Sequence, residues 1–170
     1  MMENYNFVLN FTLPRPDDNP EQFLDALYDA GRDDAAMGIG QYGMLGLDFT
    51  RAATSAEEAV RTALANVITA IPGAVPVQAG PDLVGLTEMA VIFGFSRQNM
   101  RKYATGQAGG FPPPVVLGDP SLWHLAEIVA WLKVNTNVRP PDHVLDVSKA
   151  AAKLNFEVER KRVKRINTLT

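Results

Sequence analysis

The sequence predicts an α+β protein, and three observations support that class. Residues 5–13 alternate polar and apolar side chains, which is the period of a half-buried strand. Residues 55–71 repeat apolar side chains at intervals of three and four, which is the period of an amphipathic helix. After Asp82 the pattern changes, and short polar helices and a proline-rich loop replace the strands.

A helix and a hairpin are predicted after the first strand. Asn19 can cap a helix that has Pro20 at its first position, where a missing N–H costs nothing, and Gly31 is placed to end that helix. Two short apolar runs, Ala35–Ile39 and Met44–Thr50, flank the turn sequence GQYG. They predict a β-hairpin.

A second helix and a fourth strand complete this region. Ser55 and Glu58 have the spacing of a capping box, so a helix begins there, and Pro72–Gly73 stops it. Ala74–Gln78 follows as a short strand. The order β-α-β-β-α-β predicts a ferredoxin-like domain over residues 1–80, with both helices on one face of an antiparallel sheet. We expect this domain to serve dimerisation or partner binding, because the fold alone specifies no activity.

Charge is unevenly distributed along the chain. Residues 1–82 carry four basic and twelve acidic residues, a net charge of −8. Residues 83–135 carry four basic and three acidic residues, net +1, and residues 136–170 carry eight and four, net +4. The acidic front half repels phosphate and the basic back half attracts it. The overall charge of −3 is therefore a weak argument against nucleic-acid binding.

Composition excludes several classes of site. The absence of cysteine excludes disulfides and thiolate chemistry, and the isolated His124 and His143 do not form a zinc site. No apolar run reaches the roughly 18 residues of a membrane helix, and the N-terminus lacks the basic region of a signal peptide. We expect a soluble, cytoplasmic protein with no membrane partner, no metal and no cofactor.

Residues 81–135 follow the plan of a helix-turn-helix. Thr87 can cap a first helix, Gly94 turns the chain, and Ser96 caps a second helix. Met100 and Tyr103 are the expected inward residues of the second helix. Its remaining side chains are polar or basic, namely Arg97, Gln98, Asn99, Arg101 and Lys102.

A loop, a hairpin and two further helices are predicted beyond it. Gly118–Ser121 is the expected hairpin tip, and LAEIVAWLKV is an amphipathic helix. Residues 136–170 form a linker and a basic C-terminal helix, whose apolar strip is too narrow to be stable unless it packs on the body or on a second copy. That strip comprises Val147, Ala151, Leu154 and Val158.

The segments GLTEMA, GFSRQNMRK, FPPPV and LWHLAEIVAWL resemble, in order and spacing, the winged helix-turn-helix group of AlpA-type regulators, phage excisionases and MerR-like DNA-binding domains. The resemblance covers residues 83–132. It implies that the second helix enters the major groove of double-stranded DNA while the wing lies along the neighbouring backbone. It assigns base edges to Arg97, Gln98, Asn99 and Arg101, and phosphates to Ser96 and Lys102. His124 is expected to be either a surface residue or a further contact to the phosphate backbone.

The wing departs from that group in its charge. The group usually carries Arg or Lys near the wing tip and just after the tryptophan, whereas this chain has Gly118–Ser121 at the tip and His124 after Trp123. A second copy or a C-terminal DNA arm could supply the missing charge. The tail could equally be a solvated helix end, where cations favour the dipole. Its cations are Arg160, Lys161, Arg162, Lys164 and Arg165.

The sequence therefore predicts a sequence-specific DNA-binding transcriptional regulator, a repressor that acts as a homodimer and is not an enzyme. Two alternatives stay open: an antitoxin whose acidic domain neutralises a basic protein partner while it represses its own operon, and an excisionase-like factor that bends DNA. A metal-dependent nuclease using Asp17 is a remote fourth, and ligand sensing by the N-terminal domain also stays open. No Ser-His-Asp or Cys-His constellation can be assembled, so no catalytic residue is assigned.

Overall fold

The computed structural model describes residues 1–30, 34–106 and 109–170. Its contacts divide the chain into two compact units. Unit 1 comprises Met1–Gly80 and Ala150–Thr170, and unit 2 comprises Pro81–Lys149. The α+β class is confirmed, with antiparallel strand pairing and six α-helices in the described ranges.

Before the C-terminal helix, unit 1 contains its strands and helices in the order β-α-β-β-α-β. In chain order the elements of both units are β1 (Glu3–Thr12), a 3-10 helix (Pro20–Phe23), α1 (Leu24–Asp29), β2 (Ala35–Gln41), β3 (Met44–Ala53), α2 (Ala56–Ala70), β4 (Val75–Gly80), β5 (Leu83–Val84), α3 (Leu86–Phe93), α4 (Arg97–Thr105), β6 (Trp123–His124), α5 (Leu125–Asn135) and α6 (Val144–Ile166). The predicted helix end at Gly31 lies outside the described residues.

The sheet of unit 1 has the strand order β2-β3-β1-β4, and every neighbouring pair is antiparallel. Alternate residues of β1, including Phe7, Leu9 and Phe11, are buried. Phe7 faces Phe49 on β3, and their rings stack with centroids 5.1 Å apart. This pairing specifies the register, because a slip of one residue would move every apolar side chain to the solvent face.

Local capping groups begin the helices of unit 1. The Asn19 side chain accepts from the Glu21 N–H at 3.1 Å, and Ser55 Oγ accepts from the Glu58 N–H at 3.1 Å. The Glu58 carboxylate reaches one residue further back than in a capping box and accepts from the Thr54 N–H at 2.7 Å. Hydrogen bonds from Thr54, the hydroxyl first and the backbone N–H second, lower the pKa of Glu58.

The hairpin between β2 and β3 turns at Tyr42–Gly43. The turn has two residues, since Gln41 pairs directly with Met44. Gly43 has a φ of 78°, and a Cβ there would lie 2.6 Å from the carbonyl oxygen of Pro16. Only glycine combines this left-handed backbone with so close an approach.

From Ala150 onward, α6 packs within unit 1. Three residues of its predicted apolar strip, Ala151, Leu154 and Val158, are buried there, whereas the fourth, Val147, is buried in the part of α6 that belongs to unit 2. Asn155 adds a specific polar contact. The Asn155 amide donates to the Ala79 carbonyl at 2.8 Å and accepts from the Ala79 N–H at 2.7 Å. It therefore pairs with the edge strand β4 as a neighbouring strand would, and covers part of an open sheet edge.

Two ion pairs join α6 to α2. The Arg61 guanidinium donates to both carboxylate oxygens of Glu157, at 2.6 and 2.9 Å, and Lys153 Nζ donates to Glu57 at 2.8 Å. The hydrogen bond from Arg61 lowers the pKa of Glu157, and the hydrogen bond to Glu157 raises the pKa of Arg61. The ionised pair is thus favoured by the folded state.

Substituting Glu157 tests this contact. We expect Glu157→Gln to lower the free energy of unfolding of unit 1 by about 0.5 kcal/mol at neutral pH, since partly exposed pairs contribute little. Folding lowers the pKa of Glu157. The extra free energy of unfolding of the wild type over the variant is therefore fully present above the unfolded pKa of about 4.3, and it is lost as pH falls through the folded pKa. Urea titrations at neutral and acidic pH, followed by far-UV circular dichroism, measure both effects. Glu159→Gln removes the same charge from the same helix and only an exposed pair with Arg162 within that helix. An equal loss there would contradict a specific role for the contact of Glu157 with α2.

Candidate nucleic-acid interface

Helices α3 and α4 are joined by a tight turn at Gly94. Gly94 has a φ of 73°, and the N–H of Phe95 returns to the Ala90 carbonyl at 2.8 Å, so α3 ends in the left-handed manner that glycine favours. Ser96 then begins α4, its Oγ accepting from the Asn99 N–H at 3.1 Å. This capping uses an acceptor of the hydroxyl and leaves its O–H as a donor.

The start of α3 differs from the prediction. Thr87 does not cap it, because α3 begins at Leu86 with Gly85 in the N-cap position, and Thr87 lies in the first turn. The Glu88 carboxylate folds back to accept from the Gly85 N–H. The Glu88 carboxylate is the acidic member of a capping box, and it takes the place of a hydroxyl cap at this helix. A Cβ at Gly85 would approach that carboxylate to 3.0 Å.

A single buried face positions α4. Met100 is fully buried, and Tyr103 packs edge-on against Trp131 with centroids 6.0 Å apart. Met100 and Tyr103 are three residues apart and therefore lie on one side of the helix. Tyr103 also contacts Phe95 at 5.9 Å, which links α4 to the turn that precedes it. The exposed side chains of α4 are Thr105 and the five predicted to contact DNA, namely Arg97, Gln98, Asn99, Arg101 and Lys102.

The hairpin segment, defined as residues 111–122, is anchored to the same aromatic side chains. Phe111 packs on Trp131 at 5.1 Å and on Trp123 at 6.2 Å. The Trp123 indole N–H donates to the Pro112 carbonyl at 3.0 Å. Both tryptophans are buried. Because Trp131 contacts both Tyr103 of α4 and Phe111, one core residue fixes the helix and the entry to the hairpin segment together.

The predicted hairpin at Gly118–Ser121 is short. Val116 and Leu122 form one antiparallel bridge, with the Leu122 N–H donating to Val116 at 2.9 Å. The Ser121 hydroxyl donates to the Gly118 carbonyl at 3.0 Å and closes the tip. Beyond the bridge the chain leaves the hairpin, since β6 pairs with β5.

The exposed surface of the hairpin segment is apolar and acidic. Val115, Val116 and Leu117 are 50%, 46% and 87% exposed, and Asp119 is exposed beside them. The segment contains no cation. It therefore has no charge with which to attract a phosphate backbone.

A cleft of 590 Å³ lies between α4 and the hairpin segment. Arg97 and Arg101 line it from α4, and Leu117–Ser121 lines it from the hairpin. Residues four apart share a side of a helix, so the two guanidinium groups project from the same side. Gln98, Asn99 and Lys102 are exposed on α4 but do not line the cleft.

His124 has a buried partner that sequence reasoning missed. Its Nδ1 lies 2.7 Å from Asp82 Oδ1, and the side chain of Asp82 is only 2% exposed. Asp82 also accepts from the Leu125 N–H through its carbonyl at 2.7 Å, so it fixes β6 and the start of α5. Nε2 is the ring nitrogen left for a phosphate contact. A lone aspartate before a two-residue strand has no periodic signal that could have revealed it.

The tail cations belong to unit 1, whereas α4 belongs to unit 2. Arg162 pairs with Glu159 at 3.4 Å, and the other four are exposed. Their assignment to DNA is therefore a separate prediction from that of α4. The four others are Arg160, Lys161, Lys164 and Arg165.

The described residues contain no group of three or more histidine or carboxylate side chains placed to hold a metal ion. Asp17, the nuclease candidate, forms an exposed ion pair with Arg15 at 3.6 Å. In the described ranges, no helix has the length and apolar character needed to cross a membrane.

No family model, no curated protein and no solved structure matches this chain. Its function is therefore inferred from the geometry above.

Proposed function

We propose that unit 2 is a winged helix-turn-helix DNA-binding domain and that the chain is a sequence-specific transcriptional regulator, a repressor that acts as a homodimer. One observation carries this proposal: Arg97 and Arg101 are exposed on α4, and they line the same cleft as the hairpin segment. Met100 is fully buried and holds the helix against the core in that orientation. The hairpin segment serves as the wing.

The chemistry of α4 suits base readout. Its nine residues span roughly 13 Å, a length that fits the major groove of about 12 Å width. A guanidinium can bind guanine through two hydrogen bonds, and Gln98 or Asn99 can bind adenine in the same way. Each such pair discriminates against a wrong base by about 1–3 kcal/mol. Ser96, Lys102 and His124 Nε2 are proposed to bind phosphates.

The low charge of this domain explains why a homodimer is proposed. Affinity for DNA comes largely from phosphate contacts, and α4 offers three cations while the hairpin segment offers none. Two domains on one operator double these contacts. A two-fold dimer then requires an inverted repeat with half-sites about 34–36 Å apart.

Unit 1 supports a role in assembly. Its element order and its sheet order, β4-β1-β3-β2 when listed from the opposite edge, support a ferredoxin-like arrangement. Helix α2 packs on β1 and β3, and α1 contacts α2. We propose that this unit supplies the contact between two copies.

Selection from a random pool of duplex DNA tests the function. The full-length protein is incubated with the pool at near-physiological salt, and the retained duplexes are sequenced. Enrichment of an inverted repeat supports a sequence-specific dimeric regulator. Retention without sequence enrichment contradicts base readout by α4.

DNA bending is a second candidate function, because the exposed side chains of the hairpin segment are apolar. Apolar wedges inserted between base steps are a recurrent means of kinking a duplex. Leu117, at 87% exposure, is the most exposed of the three apolar residues before the tip.

We expect Leu117→Ser to reduce the bend in the selected duplex, because a serine cannot replace the apolar contact with an unstacked base step. Energy transfer between dyes at the duplex ends measures the bend. Val91→Ser is the matched control, since Val91 is 78% exposed on α3. A bend that Leu117→Ser leaves unchanged would exclude the wedge.

A further inference from the structure

The outer face of α6 carries exposed apolar side chains and cations together. Phe156 is 70% exposed, Val163 45% and Ile166 50%. Arg160 and Lys164 are interspersed with them and exposed, and neither forms an ion pair with a described residue. We call these five residues the basic strip.

The composition of the basic strip indicates the kind of partner it fits. Contacts to a phosphate backbone use cations and leave a phenylalanine and two aliphatic side chains in water. A helix end that contacts only water gains no stability from those three exposed apolar side chains. Clustered exposed apolar side chains mark an interaction site, and the interspersed cations require the partner to be acidic.

Unit 1 has a surface of that description at its first helix. Glu21, Asp25 and Asp29 follow one another at intervals of four residues along the 3-10 helix and α1, and all three are exposed. None of them forms an ion pair with a described residue. Tyr28 lies beside them and is 52% exposed. We call these four residues the acidic strip.

Helix α2 separates the two strips within one copy. Its Glu57 and Arg61 face α6, with which they form ion pairs. On its other side, Thr62 and Asn66 accept hydrogen bonds from Arg51, which is paired with Asp34, a residue of the connection between α1 and β2. The basic strip therefore meets an acidic strip only on another molecule.

We propose that unit 1 forms a two-fold dimer in which the basic strip of each copy lies on the acidic strip of the other. A two-fold axis makes this contact twice, as an isologous interface requires. Tyr28 and Phe156 supply aromatic area, and the carboxylates oppose Arg160 and Lys164. This contact rests on the proposal that unit 1 joins two copies of the chain, and it does not depend on DNA binding by unit 2.

Reversing the charges tests this contact on the full-length chain without DNA. One variant carries Arg160→Glu and Lys164→Glu, and the other carries Glu21→Lys and Asp25→Lys. Sedimentation velocity at low ionic strength, where charge pairing is least screened, gives the dissociation constant. The wild type is expected to dimerise, and each variant alone to dissociate at least about tenfold more readily.

An equimolar mixture of the two variants is the decisive sample. Each interface in the mixed dimer then joins a wild-type strip to a wild-type strip or a reversed strip to a reversed strip, so both attractions return. We expect the dissociation constant of the mixture to return to within about threefold of the wild-type value. Each variant alone is expected to differ from wild type by at least about tenfold. A mixture that stays monomeric overturns the proposal, as does a wild type that stays monomeric. Circular dichroism of each variant establishes that unit 1 is folded.

Two further samples separate this contact from other roles of the charges. Lys133→Glu with Arg139→Glu makes the same charge change in unit 2 and should dimerise like wild type. Phe156→Ser should weaken dimerisation with no change of charge. If reversing the basic strip abolishes DNA binding and leaves self-association intact, the tail is a DNA arm and the proposed dimer contact is overturned.

Discussion

Arg97→Ala is expected to weaken binding to the selected operator about ten- to a hundredfold and to relax the preference at one base pair, because a bidentate contact to guanine discriminates by about 1–3 kcal/mol. Arg97 lies in the first turn of α4, is exposed, and forms no ion pair with a described residue. Its guanidinium therefore breaks no ion pair with a described residue when it binds a base. Fluorescence anisotropy with the operator and with single-base variants of it measures both effects.

Lys133→Ala is the control for this substitution. It removes one exposed cation from α5 of the same unit, and Lys133 lies outside the cleft.

If Arg97 contacts a phosphate instead of a base, the expected result is different. Arg97→Ala would then weaken all duplexes equally and reduce the salt dependence by about one ion, without relaxing the sequence preference. That outcome would remove Arg97 from the set of base-reading residues.

Arg101→Ala extends the comparison along the same helix. Arg97 and Arg101 are one turn apart on the side of α4 that lines the cleft. If both bind base edges, the two substitutions should relax different base pairs of one half-site. This result would fix the direction in which α4 lies along the groove.

The elements that the sequence predicted best are those with strong periodicity. Strand β1 and helix α2 follow from alternation and from three-and-four spacing, and their buried residues are the ones that those periods select. Helix α6, predicted as a C-terminal helix within residues 136–170, extends from Val144 to Ile166. In each case the signal is local, because one face of one element is buried.

Long-range contacts could not be predicted from the same signals. Asn155 pairs with a residue 76 positions earlier, and Arg61 with one 96 positions later. His124 and Asp82 are 42 residues apart. The periodicity of a sequence does not indicate the partner of an amide or a carboxylate. The predicted α6 therefore lay in a separate tail segment, and His124 had no predicted partner.

The candidate site was predictable in composition and not in shape. The polar outer face of α4 followed from its residues, since Met100 and Tyr103 are the apolar positions of that helix. The cleft depends on aromatic contacts among distant residues, chiefly those of Trp131 with Tyr103 and Phe111. The wrong assignment of the α3 cap has a local cause, because Glu88 satisfies the Gly85 N–H and removes the need for a hydroxyl at Thr87.

Met100→Ala is expected to destabilise unit 2 by about 2–5 kcal/mol, the range for removing a large buried side chain and leaving a cavity. Met100 is fully buried and is the only residue of α4 that is buried. Both tryptophans of the chain lie in unit 2, so their fluorescence follows the unfolding of this unit in denaturant. Met100→Leu conserves volume and should cost less than about 1.5 kcal/mol.

The same substitution connects packing to function, because Met100 holds α4 against the core while Arg97 and Arg101 of the same helix stay exposed. In conditions where Met100→Ala is still folded, a helix that has lost this contact can rotate or tilt, and the two guanidinium groups lose their fixed direction. We therefore expect operator affinity to fall while weak, sequence-independent binding changes little. An unchanged unfolding midpoint would show that α4 is held by the Tyr103 contacts alone. Full operator affinity in a destabilised but folded variant would show that the position of α4 does not depend on Met100.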